Sequence, residues 1–237
     1  MKNLKITLLL SLISLSINAQ KVIEKNIDYN HQKITIDVKF ASNIEVKTWE
    51  KSSVYFKAEI NTKDNKYQDL YKLDINENRN NISITSKPEP IFKEFQKEWN
   101  KNNPNKKNRY YNTGDHYKFK YIIYLPKNAS SIISSINGDL QSEVIEGKFT
   151  ADLINGDIDI KKYAGDLDLK TINGEIDLTI KNTSITAETI HGDIYVDEKL
   201  KLNSKNRHVG EEIWGNTDNA IHNIELSTIN GNMYLRL

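Results

Sequence analysis

Five carboxylates recur at intervals of eighteen residues: Asp139, Asp157, Glu175, Asp193 and Glu211. If equivalent positions of a repeat stack, these acids form one column, with neighbours about 4.8 Å apart, the spacing of strands in a sheet. Two unit charges at that distance in water repel by a little under ~1 kcal/mol. A hard cation such as Ca2+ or Mg2+ would relieve the repulsion through carboxylate oxygens, which makes Asp139, Asp157, Glu175 and Asp193 the candidate metal ligands. The plainer reading carries more weight: Asp suits the residue after a Gly bend, its carboxylate fans into solvent, and no metal or other cofactor is expected. Calcium-binding nonapeptide repeats share a nine-residue period but need two glycines and an aspartate in each copy; here there is one Gly per nine residues. Clustered acids could also cleave polysaccharides, with Asp157, Asp159, Asp166 and Asp168 as acid and base. Any solvated face of a repeat offers as much, and Asp115-His116 is a lone pair in a polar stretch. The chain has no Gly-x-Ser-x-Gly, His-Glu-x-x-His or phosphate-binding Gly loop. No catalytic residue is assigned.

The repeat itself is clear. Gly138, Gly147, Gly156, Gly165, Gly174, Gly192 and Gly210 lie on one nine-residue grid, with Thr183 and Lys201 at the vacant points and Gly114, Gly215 and Gly231 off it. Alternate points share more identity, so the true period is eighteen. Ser135-Ile136-Asn137-Gly138-Asp139-Leu140 returns as Leu153-Ile154-Asn155-Gly156-Asp157-Ile158, then Thr171-Ile172-Asn173-Gly174-Glu175-Ile176 and Thr189-Ile190-His191-Gly192-Asp193-Ile194. A degraded copy follows at His208-Val209-Gly210-Glu211, and Thr228-Ile229-Asn230-Gly231-Asn232-Met233 closes the series. The last interval is three residues too long, which predicts a small loop around Trp214–Ala220.

Between glycines, apolar and polar residues alternate (Ile158, Ile160; Leu167, Leu169; Ile176, Leu178, Ile180), the period of strands with one buried face. A hairpin meander explains alternation and Asn-Gly turns, but not an identity that returns every eighteen residues. The pattern predicts an all-β fold, a single-stranded parallel β-helix or β-solenoid of about eighteen residues per coil. Like positions then stack, Ile on Ile, into a continuous interior. Asn137, Asn155, Asn173 and Asn230 form an amide ladder along the axis, and His191 is a substituted rung.

Met1–Ala19 reads as a secretory signal peptide: Lys2 and Lys5, an apolar stretch from Ile6 to Ile17, and a small-residue exit. Without those two lysines, 31 basic residues face 32 acidic ones, which gives no basis for bulk nucleic-acid binding. No later segment is apolar enough to span a bilayer. The absence of Cys excludes disulfides, thiolate metal sites and a lipid-anchoring cysteine. The predicted organisation is a leader at 1–19 and one domain at 20–237, with irregular first coils at 20–130, a polar insertion at about 88–116, and regular repeats at 131–237. Lys33–Phe40, Asn43–Trp49, Val54–Ile60, Asn81–Thr85 and Tyr117–Leu125 are the strands of the irregular part. Within the insertion a short helix is expected at Ile91–Trp99, with Phe92, Phe95 and Trp99 docking it on the body. Lys87–Lys120 carries nine basic and four acidic residues, against five and thirteen over Ser135–Asp197. At the far end, the strand Asn232–Leu237 would leave an apolar, unpaired edge.

The Ile-Asn-Gly-Asp-Ile repeats, preceded by Tyr121-Ile122-Ile123-Tyr124-Leu125-Pro126, resemble the bacterial putative-adhesin family of β-strand-repeat proteins, related to the head domain of putative auto-transporter adhesins. The likeness runs from about Lys33 to Leu237. It implies a right-handed β-helix in an exported, periplasmic, cell-surface or secreted protein, and it carries no catalytic residues. The functional expectation is a noncatalytic adhesin-like module for a surface glycan or protein. The alternatives are a polysaccharide-acting enzyme and a self-associating scaffold.

Overall fold

In the computed structural model, residues 20–104 and 116–237 are described; the expected leader at 1–19 and Asp115 lie outside them. Alternating sequences form strands almost throughout. The first part supplies β1 (Lys21–Asp28), β2 (Lys33–Asp37), β3 (Phe40–Trp49), β4 (Ser53–Thr62), β5 (Lys72–Glu77) and β6 (Asn81–Lys87), then helix α1 (Glu89–Asn102) and β7 (Tyr117–Pro126). The repeats give β8 (Ala129–Ser142), β9 (Ile145–Asn155), β10 (Ile158–Ile160), β11 (Tyr163–Ala164), β12 (Leu167–Asn173), β13 (Ile176–Thr179), β14 (Thr183–His191) and β15 (Ile194–Val196). The chain ends with β16 (Asn203–Asn206), β17 (Glu211–Asn216), β18 (His222–Asn230) and β19 (Met233–Arg236).

All belong to one large mixed sheet, which has two limbs because β8 bends through both. At the bend Gly138 has φ 111°, and a Cβ there would lie 2.7 Å from Ala41. One limb runs β1–β4–β7–β3–β8–β10–β13–β19–β15. The other runs β5–β6–β2–β8–β9–β12–β18–β14–β17–β16. Pairing is parallel from β8 through β15, as the eighteen-residue period requires, with Asn137 opposite Asn155 and Asn155 opposite Asn173. It turns antiparallel towards the ends, at β1–β4, β4–β7, β5–β6, β14–β17 and β16–β17. The sheet is therefore not parallel throughout.

The laps do not stack in chain order. Asn230 pairs with Asn173 on one side and His191 on the other, and Met233 lies between Ile176 and Ile194. The last lap is inserted between the third and fourth. This corrects two expectations. The copy at His208–Glu211 is not a lap; it is the turn between antiparallel β16 and β17, closed by Arg207 N–H donating to Gly210 O at 3.1 Å. Nor does the terminal strand leave an open edge, because β19 is paired by β13 and β15. An inserted strand satisfies its main-chain groups on both sides, whereas a terminal one leaves a row unmet. Trp214–Asn216 belong to β17, so the extra loop begins only at Thr217.

Inward side chains of both limbs form one apolar cluster that reaches from Ile27 to Leu235. The isoleucine of each Ile-Asn-Gly motif is not part of it. Ile154, Ile172, Ile190 and Ile229 are 40%, 39%, 45% and 37% exposed, while Thr171, Thr189 and Thr228 beside them point inward. These buried hydroxyls donate to the carbonyls of Gly156, Gly231 and Gly174 at 2.9, 3.1 and 3.1 Å. The expected interior of stacked Ile thus holds for Ile158 and Ile176 but not for the motif Ile, since strand alternation places the Thr inside. Helix α1 is longer than the predicted Ile91–Trp99. It buries Ile91 and Phe95, and Phe92 packs edge-on against Phe40 at 5.0 Å. Among the described residues no helix is long and apolar enough to cross a membrane.

Candidate functional site: the outer face of the first limb

The outward positions of the first limb form long rows that cross nine of the described strands. One row reads Glu24, Lys57, Ile122, Glu45, Gln141, Asp159, Asp177, Tyr234, Tyr195. The next row holds Asn43, Asp139, Asp157, Glu175, Asn232 and Asp193, since alternation brings every second residue to the same face. A groove of about 350 Å3 lies over the middle, lined by acids of both rows with Tyr234 and Arg236. Trp49, Tyr55 and Tyr124 lie beyond one end of it, and Tyr234 in its wall stacks with Tyr195 at the other.

The acids are built into the ladder. Asp139 Oδ1 accepts the Asp157 N–H at 3.0 Å, and Asp157 Oδ1 accepts the Glu175 N–H at 2.8 Å. The inserted lap then breaks the expected column. Glu175 Oε1 accepts from Asn232 Nδ2 (3.2 Å) and Tyr234 OH (3.3 Å), and Asn232 Oδ1 accepts the Asp193 N–H at 3.0 Å. A neutral amide therefore separates Glu175 from Asp193, which relieves the like-charge contact without a cation. Glu211 arrives from β17 and accepts the Ile194 N–H at 3.0 Å. Among the described residues, no three His, Asp or Glu side chains converge on a position that could hold a metal ion.

The amide ladder forms as the stacking requires. Asn155 Nδ2 donates to Asn137 Oδ1 at 3.0 Å, Asn173 Nδ2 to Asn155 Oδ1 at 2.8 Å, and Asn230 Nδ2 to Asn173 Oδ1 at 2.8 Å. Beneath it the glycines touch. A Cβ on Gly156, Gly174, Gly231 or Gly192 would lie within 2.2 Å of the carbonyl oxygen of Gly138, Gly156, Gly174 or Gly231 respectively.

The remaining acids carry partners. Arg236 donates from Nε and Nη2 to Asp177, each at 2.8 Å, and the Asp177 hydrogen bonds raise the pKa of the guanidinium. Lys161 reaches Asp159 at 2.7 Å, and that hydrogen bond raises the ammonium pKa. Tyr195 and Tyr234 stack with centroids 5.3 Å apart, and the Asp193 carboxylate beside Tyr195 pushes its phenol up. The four acids considered for hydrolysis separate. Asp157 and Asp159 line the first-limb groove. Asp166 and Asp168 line another of about 410 Å3 on the second limb, with Lys148, Thr186 and Glu225. Asp166 accepts the Asn223 N–H at 2.9 Å and Lys170 lies 3.1 Å from Asp168.

Sequence reasoning missed the aromatic groups. Tyr195 and Tyr234 come from laps 39 residues apart in the chain that only the insertion makes neighbours. For Trp49 and Tyr124 a signal existed: alternation around buried Val46, Ile123 and Leu125 sends both outward.

No family model matches the chain, and no curated protein matches its sequence. A solved structure shares the fold. A "putative cell adhesion protein" from Clostridium sporogenes ATCC 15579 superposes with a TM-score of 0.58 at 10% identity, covering 92% of this chain and 99% of that one. A "putative adhesin" from Bacteroides fragilis NCTC 9343 aligns at 11% identity over 92% of this chain and 98% of that one, with a TM-score of 0.40.

Proposed function

We propose that the protein is a noncatalytic adhesin-like module, exported by cleavage of the leader at 1–19. Residues 20–237 then fold as a single right-handed β-solenoid unit that holds its outer faces towards a glycan or protein of the cell surface. The observation that carries this reading is how the repeat acids are employed. Asp139 and Asp157 accept main-chain N–H groups of the next lap, and Asp159 and Asp177 are in ion pairs. These acids are spread along the ladder, each joining one lap to the next or pairing with Lys161 or Arg236, and are not gathered at one reacting point. Open shallow faces on a stiff ladder suit recognition by surface contact. The fold shared with the Clostridium sporogenes protein and the sequence resemblance to the putative-adhesin family support the same reading.

The test is retention of the purified protein on cells and on immobilised envelope polymers, with soluble products measured alongside. Retention without product is expected, unchanged by millimolar calcium. Product release abolished by Asp157→Asn with Asp159→Asn would instead establish a polysaccharide-acting enzyme. The exposed column of Ile154, Ile172, Ile229 and Ile190 favours a second reading, a self-associating scaffold. A strict monomer by light scattering at high concentration removes it.

A further inference from the structure

Three half-buried rings crowd one end of the first limb's outer face: Trp49 on β3, Tyr124 on β7 and Tyr55 on β4. Tyr55 and Tyr124 are directly opposed across the ladder, and Trp49 sits beside them at the end of β3. Ring centroids are 4.9 Å apart for Trp49–Tyr124, 5.7 Å for Tyr55–Tyr124 and 6.2 Å for Trp49–Tyr55. The indole is held in place, its Nε1 donating to Ser53 O at 2.7 Å. Lys51 Nζ lies 4.7 Å from the indole centroid and Lys47 Nζ 5.6 Å from that of Tyr124. Solvated ammonium groups reach these rings because protein leaves part of each ring uncovered.

The surroundings narrow what could occupy the rings. Strands β4 and β7 are paired along both edges, and β3 is paired with β7 through Trp49 and with β8 as far as Glu45, which leaves only a short main-chain stretch for a peptide strand. Nearby charges balance: Lys47 pairs with Glu45 at 2.7 Å, Lys57 with Glu59 at 2.8 Å, and Lys127 with Glu50 and Glu146 at 2.6 and 3.2 Å, while Lys51 over Trp49 is countered by Glu24 beside Tyr55. Such pairing leaves little field to draw in a phosphate, an anionic lipid or a nucleic acid. What remains is an apolar ring surface edged by phenol, ammonium and carboxylate groups. A pyranose has the complementary form, with a face of C–H bonds and a rim of hydroxyls. Trp and Tyr offer such a ligand large, rigid contact at low cost in conformational entropy.

We propose that Trp49, Tyr55 and Tyr124, whose planes are tilted 40°, 49° and 70° to one another, form an angled platform on which an uncharged pyranose of a surface glycan stacks. The inference rests on the binding-module reading above and gives it a ligand class and a location. The test titrates the full chain with maltohexaose, cellohexaose, xylohexaose and chitohexaose, followed by tryptophan fluorescence and NMR, with phosphatidylglycerol vesicles as the contrast. At least one hexasaccharide should bind at millimolar concentration. Trp49→Ala and Tyr124→Ala should each weaken it about tenfold, with Trp49→Phe retaining binding within roughly threefold. Tyr195→Ala, at the far end of the face, should leave binding unchanged. Binding of vesicles alone, of no hexasaccharide, or with undiminished affinity after Trp49→Ala and Tyr124→Ala would overturn the platform. If the wild-type chain is still retained on cells in those cases, the binding-module reading stands; if it is not, both fall.

Discussion

Replacing Gly174 by Ala tests the stacking at its tightest point. The new Cβ would lie 2.0 Å from Gly156 O and 2.6 Å from its carbonyl carbon, where real Cβ atoms stay beyond 3.0 Å. The two laps must therefore separate by roughly 1 Å at this bend, and both are main chain, so no side chain can move aside. Such overpacking costs about 1–3 kcal/mol. The separation also stretches the Gly156 N–H bond to Asn173 O (3.1 Å) and the Asn173–Asn155 amide rung (2.8 Å). Weakening two bonds adds about 1–2 kcal/mol. Opposing this, Ala restricts the unfolded chain and returns about 0.4–1 kcal/mol. The net expectation is a loss of about 3 kcal/mol, or roughly 6–12 °C in Tm for a chain of this size. Calorimetry and urea titration measure it, with exposed Ile172→Ala as the neighbouring control, expected to cost under about 1 kcal/mol. The sign is decisive. Gly174 does not have a positive φ, so without the carbonyl contact Ala would stabilise, and an unchanged or raised Tm for Gly174→Ala would refute the close approach.

Two further outcomes follow from the lap order and from the core. Ending the chain at Ala220 removes β18 and β19, which lie between β12 and β14 and between β13 and β15; loss of cooperative folding from β12 onward is expected by hydrogen exchange. If β12 to β15 kept their protection without β18 and β19, the insertion would be wrong. The second concerns Tyr71 and Tyr121, whose buried hydroxyls meet at 3.0 Å. Burial pushes the Tyr71 phenol from 10.0 up to about 12, and burial likewise holds that of Tyr121 well above its usual value. A raised folded pKa favours the protonated form, so this contribution is complete below pH 10 and declines as pH rises towards 12 and beyond. Each group then costs up to about 1.4 kcal/mol per pH unit. Tyr71→Phe with Tyr121→Phe should flatten alkaline unfolding in that window; an unaltered pH profile would count against it.

Much of this molecule is written locally. Alternation marks the strands, the Gly grid sets where they bend, and the eighteen-residue identity puts Asn155 on Asn137 and Asn173 on Asn155, because equal spacing between bends leaves one register. Alternation also holds the outward turn of Ile172: with Leu167 and Leu169 inside, Thr171 follows them and the Ile cannot. Reading residue type before parity hides it. The lap order is a different matter. Thr-Ile-Asn-Gly at 228–231 and Thr-Ile-His-Gly at 189–192 present nearly the same edge, so local sequence does not say which rests on the third lap. The choice is made by the β16–β17 hairpin, which reverses the chain beside β14, and by the two ladders open to a strand inserted between β12 and β14. The carboxylates share that dependence: their spacing suggested an unbroken acidic column, and insertion set Asn232 inside it. Tyr124 likewise joins Trp49 and Tyr55 only through the pairing of β7 with β3 and β4, a contact fixed by sheet topology, whereas Trp49 and Tyr55 are already close across a short turn.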